Sequence, residues 1–393
     1  MEEVFIVAGA RTAVGNFLGS LSAVPAHELG ATVIKALLER SGLKPDQIDE
    51  VIMGQILTAD CGPNTARQAA FSAGIPKDVP AYTINKLCGS GMKAIHLATQ
   101  AIRLGDANII IAGGQESMTR APHTLGGSRE GVKMLEWTMQ DSLFRDALTD
   151  VFSGKPMGIT AENVADQWKI SRQEQDTYAC RSHNRAEAAQ KADVTKPEIV
   201  PVVIPQKRGD PKVFDHDEFI RPGATVEGLA KLRPAFKKDG SVTAANSSGI
   251  NDGASGVILA SGTMVKKLGL KPLGRMVAYA SAALDPSIMG TGPIPATQKA
   301  LKKAGWTVKD LDLVELNEAF ASQACACIKD LGLDPEKTNV NGSGIALGHP
   351  VGSSGSRIIV SLLYEMERRN AKKGLATLCI GGGMGIATLV ERP

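Results

Sequence analysis

Two stretches far apart in the chain follow one plan. In the first, the turn Cys88-Gly89-Ser90-Gly91 precedes a helical pattern to about Leu104, then Gly105, an apolar strand to Ala112 and Gly113-Gly114. In the second, a glycine-rich turn from Gly342 to Gly355 precedes a helical pattern to about Arg369, then Gly374, a strand to Ile380 and Gly381-Gly382-Gly383. A repeated turn–helix–strand unit constrains the chain to a duplicated α/β core, in which equivalent turns from the two halves meet at one crevice. Elsewhere short apolar runs alternate with longer helical patterns, as in stacked βα units. Val51–Leu57 and Asn108–Ala112 read as strands. Ala26–Arg40 reads as a helix with Leu29, Val33, Ala36 and Leu37 on one face and Gly42 just past its end. Another helix is expected from about Arg172 to Lys191, opened by the capping-box pair Ser171 and Glu174.

Between the halves, roughly Thr119 to Gly249, the plan is interrupted. Pro205–Gly249 carries many Gly, Pro and charged residues with little periodicity, the pattern of a long inserted loop domain. Loops of that length inside a compact enzyme are usually functional. The 393 residues allow two or three domains and a sizeable core. A net charge of only +3 gives no reason to expect nucleic acid as a partner. The chain opens Met-Glu-Glu and runs directly into Val4-Phe5-Ile6-Val7, so no leader is expected, and Glu391-Arg392-Pro393 is not a peroxisomal tripeptide. No apolar run approaches the roughly 20 residues that span a bilayer. Six cysteines without framework spacing suit a reducing compartment. The expectation is a cytoplasmic protein with neither membrane nor nucleic-acid partners.

Several residues could carry chemistry. Cys88 sits at a helix start followed by Gly-Ser-Gly, where free amides and the helix dipole should lower a thiol pKa. The same position also suits a small buried residue of a turn. His349, in Gly348-His349-Pro350, could be a base or an oxyanion donor, or a hydrogen-bonded structural histidine. Cys379 ends a strand that runs into a glycine cluster, and strand C-terminal ends are where α/β enzymes place their sites. Asn317-Glu318, after the apolar Leu311–Leu316, could face a site or cap the next helix. Cys325 and Cys327, two apart, do not share a helix face and form no metal site. With Cys61 and Cys180 they read as small core residues. Lys207, Arg208, Lys212, Arg221, Lys231, Arg233, Lys237 and Lys238 crowd the insertion, as a solvated face or as contacts to phosphates. The glycine clusters lack dinucleotide-fold spacing, which argues against a nicotinamide site.

Taken together, Asn85-Lys86-Leu87-Cys88-Gly89-Ser90-Gly91, Asn317-Glu318-Ala319-Phe320-Ala321, Gly348-His349-Pro350 and Cys379-Ile380-Gly381-Gly382-Gly383 occur in the order and spacing of the thiolase family. The resemblance runs from Ala10-Arg11-Thr12-Ala13 to the end of the chain. Met289-Gly290-Thr291-Gly292-Pro293-Ile294-Pro295 and Gly158–Ala165 are similar to its biosynthetic, acetyl-CoA acetyltransferase branch. It implies the thiolase fold, two similar βαβαβαββ halves in a layered αβαβα core with an inserted loop domain. The implied domains are residues 1–118 (completed by 250–270), a coenzyme A-binding loop domain at 119–249, and 271–393. It implies an acyltransferase that joins two acetyl-CoA into acetoacetyl-CoA and CoA, with no permanently bound cofactor, as a homotetramer or dimer. Cys88 would be acylated while His349 takes its proton, and Cys379 would exchange a proton with the α-carbon of the second substrate. His349 with a water held by Asn317 would form one oxyanion hole, and the amides of Cys88 and Gly381 the other. Coenzyme A would meet Arg221, His183, Leu148, Ala244, Phe236 and Ser248. Met157, Met289, Ala319 and Phe320 would line the pantetheine and acyl pocket. The chain departs from the family's usual pattern at Pro63, at Pro156 and at Gly342-Ser343-Gly344. The rival readings are a degradative 3-ketoacyl-CoA thiolase of broader chain length and a catalytically silent thiolase-fold protein that only binds acyl-CoA or lipid.

Overall fold

Strands β1 (Val4–Thr12), β2 (Glu50–Gly54), β3 (Ala81–Ile84) and β4 (Ile109–Ser117) alternate with helices α1 (Ala26–Ser41), α2 (Thr65–Ser72) and α3 (Ser90–Leu104) in a computed structural model describing residues 2–393. After an excursion that carries α4 (Met157–Trp168) and α5 (Arg172–Lys191), β5 (Asn251–Ser261) completes this half. The second half comprises β6 (Gly274–Ala283), α6 (Pro293–Ala304), β7 (Leu313–Leu316), α7 (Ala321–Leu331), α8 (Val351–Arg368), β8 (Lys373–Ile380) and β9 (Met384–Glu391). The strand order is β3-β2-β4-β5-β1 in the first half and β7-β8-β9-β6 in the second. The parallel bridge between Val314 and Thr338 stands beside β7 where the first half has β3, so both halves share one topology. The duplication read from the turns is therefore a duplication of the sheet. The halves join through the antiparallel pairs Phe5–Arg275 and Ile6–Gly274.

Alternation along the strands sorts the core into layers. Ile109 and Ile111 face α1 and α2, whereas Ile110 and Ala112 face α3 and α8. Across the second half-sheet, Leu375, Ala387 and Leu389 pack on α6 and α7. Helices α3 and α8 thus form a middle layer between two half-sheets, with helices outside each. Each fully buried Ile or Leu contributes about 1.5–3 kcal/mol. The middle pair approaches closely because glycines face across it: a Cβ on Gly355 would lie 2.6 Å from the Met92 amide nitrogen. This corrects the reading of 342–355 as one turn. The chain makes a helical turn at Gly344–Leu347, and α8 begins at Val351, taking Gly352 and Gly355 into its body.

Other boundaries differ for local reasons. Helices α1 and α5 match expectation, with Gly42 at φ +70° capping the first and the Ser171/Glu174 box opening the second. Strand β2 stops at Gly54, because the Ile56 and Leu57 amides turn to the Glu116 carboxylate. Strand β4 runs through Gly113-Gly114 to Ser117, paired residue for residue with β5. In the excursion only Lys212–Phe214 and Val226–Ala230 are regular within 205–249. Arg11 ties it to the core from full burial, donating to Glu198 at 2.7 Å and to Asp217 at 2.7 and 2.9 Å. Among the described residues no helix is long and apolar enough to cross a membrane.

Candidate active site

The middle helices start at the same end of the molecule, and their leading turns carry Cys88 and His349. Residues 85–89 reverse the chain between β3 and α3. Leu87 takes φ +48°, a left-handed conformation that costs a non-glycine residue about 1–3 kcal/mol. Local bonds hold it there. The Leu87 amide donates to Asn85 Oδ1 at 2.9 Å, and the Ser90 hydroxyl donates to the Leu87 carbonyl at 2.7 Å while accepting the Lys86 amide at 2.7 Å. The amides of Gly89 and Ser90 bond to the carbonyls of Lys86 and Leu87. Those amides are spent inside the turn. The expected lowering of the Cys88 thiol is overturned: burial pushes it up, and the amide hydrogen bonds from Gly381 and from Cys88 itself only partly oppose this.

The second turn follows β8. Cys379 is fully buried one residue before the strand's end, and Gly382 and Gly383 at φ +77° and +79° swing the chain into β9. Gly89 lies against this turn, where a Cβ would come 3.0 Å from Ile380 Cγ1. Two turns distant in sequence are thereby pressed together, and a Cβ on Gly381 would lie 3.2 Å from Leu87 Cδ1. Burial, and then the neighbouring Cys88, push the Cys379 thiol well up. A thiolate formed at Cys379 would therefore be a strong base.

His349 is 5% exposed and directly precedes Pro350 at the start of α8. Its amide donates to Asn251 Oδ1 at 3.0 Å. Its Nδ1 lies 2.6 Å from Ser354 Oγ, whose single hydrogen goes to the Pro350 carbonyl at 2.9 Å. Assigning the hydroxyl as acceptor from the imidazole puts the ring proton on Nδ1 and leaves Nε2 as a lone pair. Nε2 is buried without a partner. Burial and the Arg357 charge hold the imidazole down at about 3, so it is neutral at ordinary pH. Asn317, fully buried after β7, places Nδ2 3.5 Å from His349 Nδ1. Glu318 beside it accepts from Tyr178, Ser182 and Asn339, so of the polar pair only Asn317 faces the histidine.

The ten substrate-binding candidates fall into linked groups. Met157, Met289, Ala319 and Phe320 cluster with Cys379, and the Met157 Cε would lie 2.9 Å from a Cβ on Gly381. Phe236 stands edge-on to Phe320 at 6.3 Å, and the Ser248 amide donates to the Ala319 carbonyl at 2.9 Å. Leu148 packs in the cluster that holds Cys88 and Val351. Arg221 donates to the Ala244 carbonyl through its side chain and to His183 Nδ1 through its amide, both at 3.3 Å. Arg221 and Ala244 are exposed, whereas His183 is fully buried behind them. Lys207, Arg208, Lys212, Lys231, Arg233, Lys237 and Lys238 are exposed, as a solvated face would be.

Ser354, Arg357 and Asn251 were not found by sequence reasoning. Ser354 and Arg357 follow His349 on α8, and helical spacing from the Gly-His-Pro turn is the signal that could have found Ser354. The cysteines need a correction. Cys327 and Cys180 are buried, but Cys61 and Cys325 are partly exposed. Cys325 borders a surface cleft of about 450 Å³ with Tyr178, Arg181 and Lys329, apart from the residues above.

Residues 4–263 match the family described as "Thiolase, N-terminal domain", and residues 270–392 match "Thiolase, C-terminal domain". The chain is 59% identical over 391 residues to an acetyl-CoA acetyltransferase of Allochromatium vinosum, covering 100% of this chain and 99% of that one. It is 60% identical over 391 residues to an acetyl-CoA acetyltransferase of Chromobacterium violaceum, covering 100% of both. The crystal structure of the Bacillus anthracis acetyl-CoA acetyltransferase superposes with a TM-score of 0.98 at 45% identity, covering 100% of this chain and 99% of that one. Human mitochondrial 3-ketoacyl-CoA thiolase in complex with CoA gives 0.96 at 45% identity, covering 100% and 98%.

Proposed function

The chain belongs to the thiolase family, and on that footing we propose that it is an acetyl-CoA C-acetyltransferase, joining two acetyl-CoA into acetoacetyl-CoA and CoA through an acetyl group on Cys88. The observation that carries the chemistry is the contact of the two turns: a Cβ on Gly89 would lie 3.0 Å from Ile380 Cγ1 and one on Gly381 3.2 Å from Leu87 Cδ1, which sets the Cys379 turn against the residues on either side of Cys88. His349 Nε2, a buried lone pair, takes the Cys88 proton as the sulfur attacks the thioester carbonyl. CoA leaves as a thiol by taking the proton of Cys379. The Cys379 thiolate removes an α-proton from the second acetyl-CoA, and the carbanion attacks the acetyl carbon. The carbon–sulfur bond breaks, and Cys88 recovers its proton from His349. Amides of Cys88 and Gly381 would stabilise one oxyanion, and His349 with Asn317 the other.

Coenzyme A thioesters are the substrates in this reading. Exposed Arg221 would meet phosphate, with His183 and Ala244 fixing it. Ser248, Phe236 and Leu148 would flank the pantetheine arm, and Met157, Met289, Ala319 and Phe320 would enclose the acyl end. Residues 119–249 act as the coenzyme-binding loop domain, between the halves 1–118 (with 250–270) and 271–393. Self-association, as a homotetramer or a dimer, is supported by the hairpin between His123–Thr124 and Gln140–Asp141, which exposes Met134 at 79% and Leu135 at 97%. The setting proposed is the cytoplasm. The degradative reading is kept because the human 3-ketoacyl-CoA thiolase superposes nearly as well. Thiolysis of 3-ketoacyl-CoA substrates over a range of chain lengths decides. Fastest cleavage of the four-carbon substrate is expected, and preference for eight carbons or more would replace this proposal by its rival.

A further inference from the structure

Arg357 lies on α8 at 1% exposure, underneath Asn317. Its Nη2 donates to Asn317 Oδ1 at 3.2 Å and to Ser343 Oγ at 3.1 Å. Its Nη1 stands 3.7 Å from Glu315 Oε2, and neither Nε nor Nη1 has a hydrogen-bond partner. For stability alone this is a poor arrangement. A buried guanidinium is costly unless its donors are used, and here the well-made bonds all come from one nitrogen.

The contact has a consequence for Asn317. A guanidinium only donates, so the amide face toward Arg357 must be the oxygen. Nδ2 is thereby turned to the opposite side, 3.5 Å from His349 Nδ1. With the proton assigned to the Ser354 bond, that nitrogen offers Nδ2 no acceptor. The Nδ2 hydrogens face the imidazole. Rotating the amide by half a turn would set two donors 3.2 Å apart, one of them charged. We propose that Arg357 is a positioning residue: it locks the Asn317 amide with its donor face toward His349. Gly344 belongs to the device, since a Cβ there would lie 3.0 Å from Asn317 Oδ1. The inference rests on the role proposed for Asn317.

A double-mutant cycle in the full-length enzyme tests it. Thiolysis of acetoacetyl-CoA is measured for Asn317→Ala, Arg357→Gln, Arg357→Lys and each Arg357 variant combined with Asn317→Ala. Thermal melts, and acetyl-enzyme formation on Cys88 read by intact mass, report that each variant is folded. Asn317→Ala should lower kcat by about 100- to 1000-fold, the loss for one oxyanion donor. Arg357→Gln should lower kcat by about 10- to 100-fold with little change in KM, and Arg357→Lys by less. In the Asn317→Ala background neither should add more than about twofold, because the amide they orient is gone. Losses that multiply in the double variants would overturn the inference, as would wild-type kcat in both Arg357 variants. In either case Asn317→Ala remains slow and the proposed function stands. Wild-type kcat in Asn317→Ala would instead overturn the inference together with the role proposed for Asn317. If Arg357→Gln does not fold, Arg357→Lys and its double variant decide alone.

Discussion

Replacing Ser354 by alanine should impair the enzyme without unfolding it. The hydroxyl has two bonds, accepting His349 Nδ1–H at 2.6 Å and donating to the Pro350 carbonyl at 2.9 Å. Losing the second matters little, because the amides of Ser353 and Ser354 both still donate to that carbonyl at 2.9 Å. Losing the first leaves a buried N–H without a partner, worth about 1–3 kcal/mol. Asn317 cannot substitute as acceptor, since its oxygen is bonded to Arg357. The imidazole can escape by moving its proton to Nε2, but the nitrogen proposed to take the Cys88 proton then has no lone pair to do so. Either way the competent tautomer loses about 1–3 kcal/mol, and kcat/KM for acetoacetyl-CoA thiolysis should fall about 5- to 150-fold. The assay is thiol-dependent loss of acetoacetyl-CoA absorbance, with acyl-enzyme formation followed separately by rapid quench and intact mass. Acylation should slow by the same factor, because His349 acts in that step. A Ser354→Ala enzyme within twofold of wild type would refute the assignment of the proton to Nδ1.

Four further outcomes are expected. Cys88→Ala should show no acetylated protein by intact mass. Cys379→Ala should still take up an acetyl group on Cys88, more slowly for want of a proton for departing CoA, yet fail to condense. A Cys379→Ala enzyme that condenses near the wild-type rate removes Cys379 from the mechanism. His183→Asn should flatten the acid limb of stability. Burial, with Arg221 adding to it, holds His183 at about 4 against an ordinary 6.5, so the unfolded chain binds the extra proton between those values. The wild type is thus most stable above pH 6.5 in this respect and weakens as pH falls toward 4, by up to about 1.4 kcal/mol per pH unit. Urea midpoints at pH 7, 5.5 and 4.5 should show that slope reduced in the variant, and an unchanged slope rejects the attribution. Met157→Ala should widen the acyl end, raising kcat/KM for five- and six-carbon substrates relative to four-carbon by about 1–3 kcal/mol per methylene admitted. Unchanged ratios would place Met157 outside the acyl pocket, and Pro156→His, at the exposed start of α4, provides a comparison.

Local signals were legible wherever local physics decides. Gly42 and the Ser171/Glu174 box fixed two helix ends because caps are made by residues a few positions apart. The motif cysteines and His349 were visible because each stands in a turn whose glycines admit close packing. What failed depended on distant partners. Nothing near Gly352 and Gly355 announces that α3 lies against them, so helical residues looked like turn. The Cys88 turn looked like a free helix start, yet its amides are bonded to Lys86 and Leu87. Cys325 carries no sign of the cleft beside it. Arg357 looked like any arginine on a helix, and only the packing of β7 against α8 gives it Asn317 as neighbour.

Ser117 and Asp252 sit directly opposite one another in the β4–β5 pair. All the chain between them therefore leaves and rejoins the core at one place, as the loop of a very large hairpin. Loop closure becomes harder only slowly with length, by about 0.6 kcal/mol for each doubling. The core is accordingly indifferent to how long or elaborate that excursion becomes. Over evolutionary time, substrate-facing segments could be exchanged, lengthened or trimmed there while the two cysteines, held on the paired strands and middle helices, kept their chemistry. A graft of residues 118–251 between relatives of different chain-length preference is the engineering counterpart of that history.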